Sequence, residues 1–214
     1  MNIIQLQHIL PDVFKGTKNL ESDVWLQNLS FEKGKFYLIE AVSGKGKTSL
    51  CSYIYGQRTD FSGNILFDQT NIHIFSKKDW TTIRQKNISF VFQDLRLFPE
   101  LSALENIQLK NNLTHHKTAS EIEKCMEIFG ISDKTNALIG KMSFGQQQRI
   151  AIIRACCQPF DFILLDEPIS HLDDKNGKIV ADFLLEEVKK NNAGIIVTSI
   201  GKHIDLPYSK VIQL

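Results

Sequence analysis

Residues 42–49 read Val42-Ser43-Gly44-Lys45-Gly46-Lys47-Thr48-Ser49. They follow the apolar run Phe36–Ala41 and lead into a helix expected over Thr48–Tyr55. Strand, glycine-bearing loop and helix is the context that the phosphate-binding motif G-x-x-x-x-G-K-[ST] requires. The glycines let backbone N–H groups approach phosphate oxygens at a helix N-terminus. In that arrangement Ser43, Gly44, Lys45, Gly46, Lys47, Thr48 and Ser49 form the cradle. Lys47 neutralises the β/γ oxygens, and the Thr48 hydroxyl binds Mg²⁺. Two points weigh against the motif. A bare Gly-Lys-Ser/Thr tripeptide arises by chance in roughly one chain in ten of this length. Ala41 also stands where the motif has its first glycine, and if that position needs φ > 0 the alanine costs about 1 kcal/mol.

A second stretch bears on the first. Phe162–Leu165 is an apolar run that ends in Asp166-Glu167-Pro168. Two carboxylates at the end of a buried strand are expensive to desolvate unless a cation or a reaction uses them. Asp166 suits a water-mediated Mg²⁺ ligand, and Glu167 suits a base that polarises an attacking water. By itself the pair reads as a solvated strand end; with a phosphate loop upstream it reads as machinery for nucleotide hydrolysis.

The 214 residues are 43% hydrophobic, enough for one substantial core. Twenty-five basic and 24 acidic side chains give a formal charge of +1, so no global field points to nucleic acid or an anionic membrane surface. Strands are predicted at Val24–Phe31, Phe36–Ala41, Asn64–Phe67, Ile88–Phe92, Phe162–Leu165, Gly194–Thr198 and Lys210–Leu214. Several are continuously apolar, the habit of parallel sheets covered on both faces. Helices are predicted after Lys47 and at Ser102–Lys110, Ala119–Phe129, Gly145–Cys157 and Lys175–Lys190. The expected fold is α/β, with a helical insertion over about 94–157. Cys51, Cys125, Cys156 and Cys157 have neither zinc nor disulfide spacing and read as buried thiols. No apolar run approaches the roughly 20 residues that span a bilayer, so a cytoplasmic chain with no direct membrane insertion is expected.

The order Gly44–Thr48, Gln93, Met142-Ser143-Phe144-Gly145-Gln146-Gln147-Gln148-Arg149, Asp166-Glu167 and Ser170-His171-Leu172-Asp173 resembles the ATP-binding cassette (ABC) family of transport ATPases over nearly the whole chain. The run Ser143–Arg149 looks like that family's signature. Its S-x-x-Q spacing is also that of a capping box, so Ser143 and Gln146 start a helix whose N-terminus favours a phosphate. Phe92–Pro99 and Glu105-Asn106-Ile107 look most like the lipoprotein-release, macrolide-export and cell-division branch.

The resemblance implies a single domain: a RecA-like P-loop core with an N-terminal antiparallel β subdomain (1–93 and 158–214) and the inserted α-helical subdomain. It implies ATP and Mg²⁺ as cofactors, with Thr48, Gln93 and Asp166 at the metal and Gln93 and Glu167 at the attacking water. Ser143, Gly145 and Gln146 would face the nucleotide of the opposite subunit in a homodimer or heterodimer. A separate membrane permease subunit would hold the chain at the inner face of the membrane. Phe14, or less well Trp25, would stack on adenine unless either is simply core.

Three positions depart from the family pattern: Ala41, Phe144 for the first signature glycine, and Ser199 where the switch histidine is expected. Ser199 is short and carries no charge, and His203 reads as a surface residue. Two functions remain open. The first is an ATPase subunit of a transporter, with slow turnover. The second is a nucleotide-binding interaction module whose cycle has largely stopped, paired with a regular cassette subunit. A DNA-repair or chromosome-organising cassette fits poorly, for want of a coiled-coil or zinc-binding insertion.

Overall fold

The run Phe36–Glu40 is apolar at its three inner positions because both of its faces are covered. Leu38 packs with Ile163, Leu165, Ile195 and Val197 on one side, while Tyr37 and Ile39 pack with Phe162, Leu164 and Ile196 on the other. Successive side chains on a strand point to opposite faces, so an uninterrupted apolar run marks a middle layer. The computed structural model describes residues 1–17 and 20–214. In chain order the elements are β1 (Ile3–Pro11), β2 (Asn28–Glu32), β3 (Phe36–Glu40), α1 (Lys47–Ile54), β4 (Phe61–Phe67), β5 (Thr70–Asn71), α2 (Lys77–Lys86) and β6 (Ile88–Val91). Then come α3 (Ala103–Asn111), α4 (Ala119–Ile128), α5 (Phe144–Ala155), β7 (Phe162–Asp166), α6 (Asp174–Asn191), β8 (Gly194–Ser199) and β9 (Lys210–Gln213).

The middle layer is the parallel sheet β6-β7-β8-β3-β9. An antiparallel sheet, β2-β1-β4-β5, covers one face together with α1. The helices between β6 and β7, with α6, cover the other. Helices α3, α4 and α5 have no separate core: Ile107, Ile122, Phe129 and Ile150 belong to the same buried cluster as Leu38 and Val197.

Two expectations need correction. Val24–Leu26 is not strand: the chain turns there, with Leu26 at φ +62°, and β2 begins only at Asn28. The apolar run misleads because Val24 and Trp25 are buried as a turn that supports the phosphate loop. Strand β1 and helix α2 were not anticipated. Helix α2 has no buried residue, but Ser76 and Asp79 form a complete capping box, a signal present in the sequence. All four cysteines are buried, and burial pushes the Cys157 thiol up to about 12.

A buried ion pair ties two parts of the helical layer together. Lys117, ahead of α4, donates to Glu187 of α6 at 2.7 Å, both side chains being almost entirely buried. Burial works against the Lys117 charge, but the hydrogen bond and charge of Glu187 outweigh it and hold the ammonium above its ordinary value. Asn111 fixes the lysine backbone from both sides, accepting from its N–H and donating to its carbonyl. Glu187 also accepts from the exposed Lys190 at 3.0 Å, so it is removal of Glu187 that strands a charge, that of Lys117, away from water. Glu187→Leu is expected to lower stability by about 3–5 kcal/mol in urea titrations, and Lys117→Met added to it to restore most of that loss.

Candidate nucleotide site

The loop between β3 and α1 adopts its shape because glycine occupies its two left-handed positions, Gly44 at φ +82° and Gly46 at φ +98°. Gly46 is doubly constrained. A Cβ there would lie 2.8 Å from Trp25 Cζ2 and 3.3 Å from Phe14 Cε2. Trp25, 2% exposed, donates from Nε1 to the Lys45 carbonyl at 3.2 Å. It is therefore a prop under the loop, whereas half-buried Phe14 flanks the loop, its ring 6.2 Å from that of Trp25 and tilted 52° to it. Ser49 accepts from Arg58, whose side-chain bond to Asp60 holds that carboxyl below the usual range. Sequence reading missed Arg58.

Ala41 is not in the left-handed region. The anticipated strain is absent: the position supplies its carbonyl, which accepts from Lys47 Nζ at 2.9 Å, and a methyl group packed against the core. Lys47 is 6% exposed, also donates to the Val42 carbonyl at 3.2 Å, and lies 3.8 Å from Glu167 Oε1.

Parallel pairing of β3, β8 and β7 brings the carboxylates to this loop. Glu167 sits at φ +50°, uncommon for a residue with a Cβ, and is held there from two elements. Its N–H donates to the Thr198 carbonyl (3.1 Å), and its carbonyl accepts from Gln148 of α5 (3.4 Å). Its side chain accepts from Gln93 Nε2 at 3.3 Å, and Gln93 Oε1 accepts from the Thr48 hydroxyl at 3.3 Å. Ser43, Gly44, Gly46, Lys47, Thr48, Ser49, Gln93, Glu167 and Ile200 line one cleft. Thr48, Gln93 and Asp166 share the adjoining one.

Asp166 is 1% exposed; Oδ1 accepts from the Thr198 hydroxyl, whereas Oδ2 is buried with no hydrogen-bond partner. A buried carboxylate oxygen without a donor calls for a cation. Among the described residues no group of three or more His, Cys, Asp or Glu side chains could hold a metal alone. The donor set, one carboxylate with a hydroxyl and an amide oxygen nearby, fits Mg²⁺, which keeps waters and shares its shell with phosphates.

Ser143 and Gln146 do form the capping box of α5, Ser143 N donating to Gln146 Oε1 at 3.0 Å and Gln146 N to Ser143 Oγ at 3.4 Å. Neither they nor Gly145 line the clefts around Lys47. The Phe144 ring, 41% exposed, packs 4.3 Å from the His171 ring of the same chain. Arg154, at the other end of α5, donates to the Leu95 and Arg96 carbonyls at 2.6 Å each, steadying two consecutive left-handed residues just beyond Gln93.

The structure does not bring Ser199 to the cleft. It ends β8, is 1% exposed, and donates its hydroxyl to the Lys202 carbonyl, while Ile200 forms the cleft wall. His203 turns toward Glu40, 3.6 Å away.

A family model described as ABC transporter matches residues 26–170, more than half of the chain. The chain belongs to the ABC transporter family. As an ATP-binding cassette it is 31% identical over 175 residues to the lipoprotein-releasing system ATP-binding protein LolD of Buchnera aphidicola, covering 80% of this chain and 76% of that one. It is 33% identical over 189 residues to the macrolide export ATP-binding/permease protein MacB of Campylobacter jejuni, covering 85% of this chain and 29% of that protein. The dimeric structure of the ABC transporter cassette MJ0796 superposes with TM-score 0.84 at 26% identity, covering 99% of this chain and 94% of that one.

Two substitutions separate backbone need from coincidence in this cassette's loop. Gly46→Ala, which meets Trp25 in a left-handed conformation, is expected to weaken binding of a fluorescent ATP analogue by at least about tenfold. Ala41→Gly, at a position without positive φ, should leave it within about twofold.

Proposed function

We propose that this cassette binds and hydrolyses Mg²⁺-ATP and that ATP closes it into a dimer that drives a separate membrane permease. The observation that carries the reading is the convergence of Lys47, Thr48, Gln93 and Glu167 on one cleft beside the unpartnered Oδ2 of Asp166. Thr48 and Asp166, with Gln93, would hold the metal, whose chemistry when bound is to neutralise charge on the phosphates. Lys47, fixed by two carbonyls, places its ammonium on the β/γ oxygens. Glu167 is the base for the attacking water, and Gln93, bonded to it, orients that water. The α5 N-terminus, with Ser143, Gly145 and Gln146, offers free donors to the nucleotide of the other subunit. Phe14 takes the adenine.

Slow turnover is supported by a specific observation: Lys47 is the one cation among the residues lining the cleft, and the Ser199 hydroxyl is engaged elsewhere. A peripheral membrane location through the permease accords with the absence, among the described residues, of any helix long and apolar enough to cross a bilayer.

Glu167→Gln is expected to bind ATP without consuming it and to shift from monomer to dimer in light scattering on addition of ATP; Lys47→Ala should do neither. Phosphate release by the parent no faster than by Lys47→Ala, with ATP still tightly bound, would favour the arrested interaction module. Phe14→Ala should raise KM for ATP by up to about tenfold, the worth of one aromatic stack, with little change in Tm.

A further inference from the structure

The segment that carries Glu167 is short and turns twice, Ser170 N–H donating to the Glu167 carbonyl (3.3 Å) and Leu172 N–H to the Ile169 carbonyl (3.1 Å). Its near end is tied to β8 through Glu167 N–H and Thr198. Its far end is tied to the exit of the same strand: Lys202 Nζ donates to the Leu172 carbonyl and to Asp174 Oδ1, each at 2.9 Å. The lysine is itself anchored, since its carbonyl accepts from the buried Ser199 hydroxyl and its N–H donates to the Ile200 carbonyl at 2.9 Å. Between these anchors Ile200 borders the phosphate cleft, and between the two ends of the loop lies His171 with Phe144 against it. One strand exit therefore grips both ends of the loop that holds the base.

We propose that Lys202 is a positioning residue for hydrolysis: it fixes the 167–173 loop, and through it Glu167, to the cleft wall formed by the β8 exit. This rests on the ATPase reading above. A surface ion pair with Asp174 alone would matter little, because a carboxylate so exposed is screened by water. The bond to the Leu172 carbonyl is different in kind, since a charged donor there satisfies a backbone group at the end of the loop and sets where the loop stops. A modest displacement of a base is sufficient to slow proton transfer substantially without touching substrate affinity.

The test compares the full-length parent with Lys202→Met and Lys202→Arg by steady-state phosphate release and by hydrogen–deuterium exchange without nucleotide. Lys202→Met is expected to lower kcat about tenfold with KM for ATP within about twofold, and Lys202→Arg, which keeps a charged donor, to recover most of the rate. In the same variant, amide exchange over Ser170–Asp173 should rise at least about fivefold and return toward the parent rate in the arginine variant. Unchanged exchange in Lys202→Met overturns the inference. So does raised exchange with kcat still within about twofold of the parent, or an equal loss of rate in both variants. A parent that releases no phosphate above Lys47→Ala would sink the ATPase reading, and the exchange comparison would still decide whether Lys202 holds the loop.

Discussion

An ammonium group taken almost wholly out of water is the constraint on which the cleft depends. Lys47 satisfies its charge with two carbonyls from its own loop and a carboxylate on another strand. Withdrawing a charge from solvent is tolerable only where such partners are fixed in advance. That requirement accounts for β3, β7 and β8 being neighbours in register; Gly46, left-handed and pressed against Trp25, and the tryptophan bonded beneath Lys45 shape the loop that supplies the carbonyls. The same arrangement leaves one side of Lys47 facing an open cleft toward which an anion would be drawn.

Much of this was legible in the sequence, for identifiable reasons. Phe36–Ile39, Phe162–Leu165 and Ile195–Val197 are apolar without alternation because they form a covered middle layer, so the strands and their role could be read directly. The capping box at Ser143 was readable because it is a local, four-residue device. The misreadings arise where an apolar residue serves something distant. Val24 and Trp25 resemble strand yet form a turn whose burial is set by the loop twenty residues on. Gln148, Arg154 and Lys202 were invisible as site residues because their importance lies in which backbone carbonyls they reach.

The three departures from the family pattern prove unlike one another. Ala41 is accommodated without strain, since the position supplies a carbonyl and a half-buried methyl group. Phe144 packs its ring, tilted, against that of His171 and so changes the texture of an exposed surface. Ser199 turns its hydroxyl away to the Lys202 carbonyl, and the strand exit is organised by that lysine three residues later.

The order of strands in the parallel sheet also governs how the protein comes into being. Strand β3, which launches the phosphate loop, pairs with β8 and β9, Phe36 lying opposite Ile195 and Tyr37 opposite Lys210. Contacts of such long sequence separation form late, after a large loop-closure entropy has been overcome. A nascent chain on the ribosome thus carries its glycine loop long before that loop has a wall to lean on. The loop and the wall beside it are therefore acquired together, in one long-range step of folding.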